Sequence, residues 1–282
     1  MKNIISASRR TDIPAFYYDW LQECLKNEEV EICNPLYKEN KTIVDLSPDK
    51  IHSIVLWSKN YSNLIKNIGY LKYYNLYFQY TITGYSKVFE PNVPTMEESI
   101  KTIEKLLEMG FAPEQFNIRY DPIILSESGE INPNYEKPGK ARLDKFNELL
   151  SNLKAIGMDN CRVTTSYISM YGHVKKNMNK TDMINIDNNI QIEFMRRLAA
   201  IADNFNRDIY VCSNERFLNA GITNIKKSHC IDGDLLDKLF NEKSSKAKCT
   251  GQRKECGCSK SIDIGNYYQK CYHNCIYCYA MK

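Results

Sequence analysis

Three cysteines crowd the stretch "CYHNCIYCYA", at Cys271, Cys275 and Cys278, with the spacing C-x3-C-x2-C. Thiolates bind metals, and three are one fewer than a closed zinc site or a fully ligated iron–sulfur cluster uses. A cubane held by three cysteines leaves one iron open to a substrate or cofactor. Five further cysteines come before them: Cys212, Cys230, Cys249, Cys256 and Cys258. Of these, Cys212, Cys230, Cys256 and Cys258 make a four-thiolate set suited to a complete 4Fe–4S cluster or to zinc. Cys249, between Lys248 and Thr250, stands outside that set. His229 and His273 lie beside the thiols, either as ligands or as groups that orient ligands.

The rest of the chain sets the context for these thiols. Of its 11 cysteines, Cys24, Cys33 and Cys161 sit among apolar neighbours and read as small buried hydrophobes. The start, "MKNIISASRR", carries no leader-like apolar run, and no stretch of about 18 apolar residues could span a bilayer. The expected setting is cytoplasmic, with no membrane partner. In a reducing compartment, clustered cysteines are metal ligands or reactive thiols rather than a disulfide framework. The 38 basic and 34 acidic residues are interspersed and leave a net charge of +4. That excludes a strongly basic nucleic-acid footprint, though not a local basic groove.

The elements that must position the thiols alternate between strand and helix. Strands are expected at residues 4–8 and in "HSIVLW", "LYFQYTIT", "FNIRYDPII", "CRVTTSYI" and "DIYVCSN", the last of the series. Helices are expected after Pro14, over residues 63–74, from Thr95 with Glu98 as a capping box, and around Leu143–Leu153 and Ile192–Ala202. The stretch "EICNPLYKENKTIVDLSP" reads as an irregular hairpin insertion. Such alternation predicts an α/β protein with parallel strands, a TIM-like (β/α) barrel, full or partial; a doubly wound open sheet is the alternative. Residues 1–213 would form the barrel body. Residues 214–282 would be a Cys-rich iron–sulfur segment packing on its mouth.

Polar clusters follow nearly every strand: Arg9, Arg10 and Asp12; Ser58, Lys59 and Asn60; Thr83 and Gly84; Arg119 and Asp121; Thr165, Ser166 and Tyr167; Ser213, Asn214 and Glu215. In (β/α) barrels the C-terminal ends of the strands carry function, so these clusters are expected to ring one mouth. Arg9, Arg10, Asp12, Lys59, Arg119 and Asp121 are the candidate catalytic residues. The mixture suits a polar or anionic small molecule, a nucleotide or a peptide.

The motif C-x3-C-x-aromatic-C resembles the signature of radical S-adenosylmethionine enzymes, and "NCIYCYA" looks like their cluster loop. The resemblance implies an open 4Fe–4S cluster on Cys271, Cys275 and Cys278, S-adenosylmethionine as cofactor, and an auxiliary cluster as the role of the second cysteine set. It also implies an electron donor such as flavodoxin or ferredoxin, a cofactor contact from Tyr277, and a cation for the cofactor's carboxylate, with Arg9 or Arg10 as the candidates. In that superfamily the loop follows the first barrel strand. Here "SIDIGNYYQ" precedes it, so the expected arrangement is a circular permutation with residues 261–269 beside residues 4–8. Over nearly the whole chain, "SASRRTDIPAFY", "WSKN", "RYDPI", "CID", "GQR", "CGC" and "SIDIG" resemble the bacterial family called domain of unknown function 1848.

Two other functions fit the same cysteines. One is a zinc-ribbon module that contacts nucleic acid through "KAKCTGQRKECGCSK"; the lack of paired C-x2-C arms counts against it. The other is an iron–sulfur electron carrier without S-adenosylmethionine, which leaves the polar mouth without a task.

Overall fold

The computed structural model describes residues 1–33, 41–125, 139–170, 172–178, 188–212, 214–249, 252, 255–266 and 268–280. In chain order the strands are β1 (Asn3–Ala7), β2 (Glu29–Cys33), β3 (Lys41–Asp45), β4 (Ile51–Ser58), β5 (Leu76–Thr81), β6 (Phe116–Ile123), β7 (Arg162–Tyr167), β8 (Ile209–Cys212), β9 (Ile225–Ser228) and β10 (Ile262–Asp263). Eight of them form one sheet in the order β10-β1-β4-β5-β6-β7-β8-β9. Every pairing in it is parallel. β2 and β3 form a separate antiparallel pair; the loop of that expected insertion, residues 34–40, lies outside the described residues.

Parallel strands are covered on both faces, so their sequences run nearly continuously apolar. β4 shows this, with only Trp57 short of full burial. On one face Ile5, Ile54, Phe78, Phe116 and Ile118 join the helix-facing core. There Phe78 stacks on Phe116 at 4.6 Å between ring centres, and Tyr61 meets Phe78 edge-on at 5.3 Å. The alternating residues Ile4, Val55 and Tyr77 form a second cluster with Ile231, Leu236 and Cys258. The later part of the chain therefore covers the other face of the sheet, with the helix Gly233–Phe240 packed there through Leu236.

The helix Met96–Glu108 starts as its sequence predicts, with Thr95 and Glu98 closing a reciprocal capping box. Three elements differ from the expectation. The helix expected over residues 63–74 is divided into Ser62–Lys66 and a 3-10 turn at Gly69–Tyr73. Gly69 has a φ of +54°, which cannot continue a right-handed helix. β9 extends the sheet beyond the last expected strand, hidden in the sequence by the exposed pair Lys226 and Lys227. The expected strand over residues 261–269 pairs at only two positions, Ile5 with Ile262 and Ser6 with Asp263.

The edge strands β9 and β10 do not pair with each other among the described residues, so the parallel α/β sheet is not shown to close. Between them the backbone amide of Ser259 donates to the Ile231 carbonyl at 2.9 Å. No helix among the described residues is long and apolar enough to cross a membrane.

Candidate metal and ligand site

The short β10 is anchored by side chains more than by its ladder. Asp263 accepts from the hydroxyls of Ser6 and Ser8, at 3.1 and 2.6 Å, and from the Arg9 amide at 3.0 Å. Arg9 also donates to Ser261 at 3.1 Å, and Arg10 to the Gly265 carbonyl at 2.8 Å. A Cβ at Gly265 would stand 2.2 Å from Ser8 Oγ, so only glycine allows this approach. Both arginines thus hold the tail to β1.

That attachment carries the following loop to the strand ends. Cys271, Cys275 and Cys278 line a cavity of about 550 Å³ together with Arg119, Asp121 and Cys230. Within the loop, His273 is buried, with Nε2 2.8 Å from Asp12 Oδ2 and Nδ1 3.1 Å from the Asn92 carbonyl oxygen. Asn92 donates from its side chain to the Tyr272 carbonyl at 2.7 Å, and the Ile276 amide donates to the Phe89 carbonyl at 3.1 Å. Burial, aided by the charge of Asp12, pushes the Cys271 thiol up to about 12. Burial does the same to Cys275, also up to about 12, against the pull of Lys59. Two buried thiols that resist losing protons need a cation to become thiolates, which is what a metal centre provides.

Asp12 has no acceptor capacity to spare. Its Oδ1 accepts from the Ala15 amide and the Ser58 hydroxyl, at 3.0 and 2.7 Å; its Oδ2 meets the Lys59 amide and His273, each at 2.8 Å. A carboxylate offers about four lone-pair sites, so Asp12 positions the loop and the strand ends rather than a ligand.

Lys59 forms a buried ion pair with Glu90 at 2.8 Å. Glu90 also accepts from Thr83 at 2.7 and 2.8 Å and from the Tyr277 hydroxyl. Burial works against both charges, but their mutual attraction outweighs it: Lys59 is raised and Glu90 lowered from their ordinary values. Burial and the neighbouring Glu90 hold the Tyr277 phenol well above its ordinary range. Arg119 donates to Asp121, which also accepts from Ser166. Burial pulls the guanidinium down, and Asp121 and Cys230 more than restore it. Among the described residues its Nη1 is buried without a hydrogen-bond partner.

The second cysteine set gathers beside this cavity. The sulfurs of Cys212, Cys230 and Cys258 lie within 4.8 Å of one another, and those of Cys212 and Cys230 are 3.5 Å apart. Cys256 is outside that group, although it packs on the same apolar cluster. The Cys249 thiol faces the Ser261 carbonyl at 3.9 Å. A buried relay steadies Cys230: Thr164 donates to Asn117, Asn117 to Gln79, and Gln79 to the Cys230 carbonyl, at 2.7, 2.8 and 2.8 Å. Contact with Cys212, then burial, raises both the Cys230 and Cys258 thiols.

All six candidate catalytic residues line the cavity, as do Ser58, Ser166, Tyr167 and Tyr277. Thr83, Gly84, Asn60, Thr165, Asn214 and Glu215 do not, and Ser213 lies outside the described residues. Glu90 and the Gln79–Asn117–Thr164 relay gave no sequence signal: Gln79 is a lone polar residue in the run "LYFQYT", and Glu90, Asn117 and Thr164 have no spacing that ties them to it or to the cysteines.

The fold and site together define a parallel α/β protein with two cysteine sets at the strands' C-terminal ends. The chain belongs to the family described as "Domain of unknown function (DUF1848)", whose model matches residues 4–280. No curated protein matches. Among solved structures, the D-hydantoinase (dihydropyrimidinase) from Thermus sp. is similar at 12% identity and a TM-score of 0.31. The match covers 64% of this chain and 39% of that one.

Proposed function

We propose that this protein is an iron–sulfur enzyme of the radical S-adenosylmethionine type, acting in the cytoplasm on a polar substrate. The observation that carries the reading is that Cys271, Cys275 and Cys278 all open on one cavity with Arg119, Asp121 and Lys59. The donor set fits the group: three soft thiols on a short, partly buried loop, one fewer than closed coordination requires. As a set they are not drawn within 4.8 Å of one another, the spacing that would suit a single ion. When bound, such a cluster supplies an open iron for S-adenosylmethionine and the electron that cleaves its sulfonium.

The protein's own residues do the positioning. Asp12 and His273 hold the loop against the end of β1. Glu90 fixes the Lys59 ammonium and the Tyr277 ring at the cavity wall. Arg119, whose Nη1 has no partner among the described residues, would be the cation for a ligand carboxylate. Arg9 and Arg10, the earlier candidates for that role, are engaged with Asp263, Ser261 and Gly265.

Anaerobic purification tests this directly. The expected protein is brown, with iron and acid-labile sulfide in equal amounts that fall by a whole cluster when Cys271, Cys275 and Cys278 are replaced together by Ala. Iron-free protein after anaerobic reconstitution would remove the reading.

A further inference from the structure

We infer that Cys212, Cys230 and Cys258 form a mononuclear thiolate site for zinc, separate from the terminal triplet and not a second iron–sulfur cluster. The inference does not depend on the proposed enzymatic function. It rests first on spacing. Thiolates about 2.3 Å from one tetrahedral ion lie roughly 3.8 Å apart. The 3.5 Å between Cys212 and Cys230, with all three sulfurs inside 4.8 Å, matches that arrangement. In a cubane each thiolate caps a different iron and the sulfurs spread wider. The terminal triplet of the same chain does not meet the closer criterion.

The surroundings also suit negatively charged sulfur. The amides of Cys230 and Ile231 both donate to Cys258 Sγ, at 3.1 and 3.5 Å. The Arg119 guanidinium stands beside Cys230. Three neutral thiols in contact would leave these donors facing weak acceptors, whereas a thiolate accepts them strongly. The His229 ring packs over Gly257, between Cys256 and Cys258, where a Cβ would lie 1.9 Å from Cε1 and force the ring to move. Soft thiolate sets favour zinc among abundant closed-shell ions.

The ligands come from the end of β8, the segment after β9 and the tail before β10. A bound ion would therefore cross-link the two unpaired edges of the sheet at the Ile231–Ser259 contact. Metal binding would be folding energy, concentrated at the seam.

Metal analysis of the full chain under reducing conditions tests the site. About one zinc per chain is expected in the wild type and equally in the Cys271→Ala, Cys275→Ala, Cys278→Ala variant; it should be lost from Cys258→Ser. Should Cys258→Ser not fold, cobalt(II) exchanged into the wild type is expected to show thiolate charge-transfer and tetrahedral visible bands. Absence of those bands would overturn the site. So would a cluster's iron persisting in the triple variant and disappearing with Cys258. If the enzymatic reading fails instead, zinc is unaffected and only the iron bound by the triplet is missing.

Discussion

His273 and Asp12 are 261 positions apart in sequence, yet His273 Nε2 and Asp12 Oδ2 lie 2.8 Å apart in a buried contact. It joins the terminal cysteine loop to the turn that follows β1. Replacing Asp12 by Ala would take the partner from His273 Nε2, the Lys59 amide and the Ala15 amide. At about 1–3 kcal/mol for each buried group left unpaired, the expected loss is several kcal/mol, read as a large drop in melting temperature. Iron retention should fall with it. An Asp12→Ala protein with wild-type stability and iron content would show that the contact does not hold the loop.

Glu90 makes the stability of the site depend on pH in a defined direction. Burial opposes its charge, but Lys59, Tyr277 and Thr83 lower its folded pKa below the ordinary carboxyl value of 4.5. A depressed folded pKa gives stability that is present above the unfolded value and lost as pH falls through the folded one. Denaturant unfolding of the wild type should therefore weaken below about pH 4.5, more steeply than unfolding of Glu90→Gln. Parallel curves for the two proteins would refute the assignment.

The metal-free thiols act at the other end of the scale. Cys271 and Cys275 are raised from 9.0 to about 12, chiefly by burial. Raised folded values give stability that is full below the unfolded pKa and lost as pH rises towards the folded one. Apo protein should lose stability between about pH 9 and about pH 12, and replacing both cysteines by Ala should flatten that slope. Unfolding curves on chelator-treated, reduced protein are the check.

Gly265→Ala tests the anchoring of β10. The added methyl would stand 2.4 Å from Ser8 Cβ as well as 2.2 Å from its hydroxyl. Overpacking of this kind costs about 1–3 kcal/mol, and here it would also push the cysteine loop off β1. Thermal unfolding and hydrogen exchange at Ile264, whose amide donates to the Ser6 carbonyl at 3.0 Å, report the two effects.

The strands that flank the site were legible because parallel burial writes long apolar runs, as in β4 and β5. The place of the tail beside β1 followed from the resemblance, in which the cluster loop comes after the first barrel strand, though its pairing is only two residues long. β9 was not, because an edge strand with two exposed lysines has no apolar pattern. Cysteine types marked both candidate sets, yet composition alone could not separate Cys258 from Cys256, two positions away. Only the fold puts one sulfur into the group and leaves the other out. The Asp12–His273 contact and the Gln79–Cys230 relay depend on residues brought together from distant segments, which no local spacing encodes.

Reductive cleavage of S-adenosylmethionine is the most direct test of the central claim. Anaerobic wild-type protein supplied with dithionite and S-adenosylmethionine should release 5′-deoxyadenosine, and the EPR signal of its reduced cluster should change when the cofactor is added. The Cys271→Ala, Cys275→Ala, Cys278→Ala variant should do neither while remaining folded. Cleavage by that variant at the wild-type rate, or a wild-type cluster whose spectrum and products ignore the cofactor, would contradict the account.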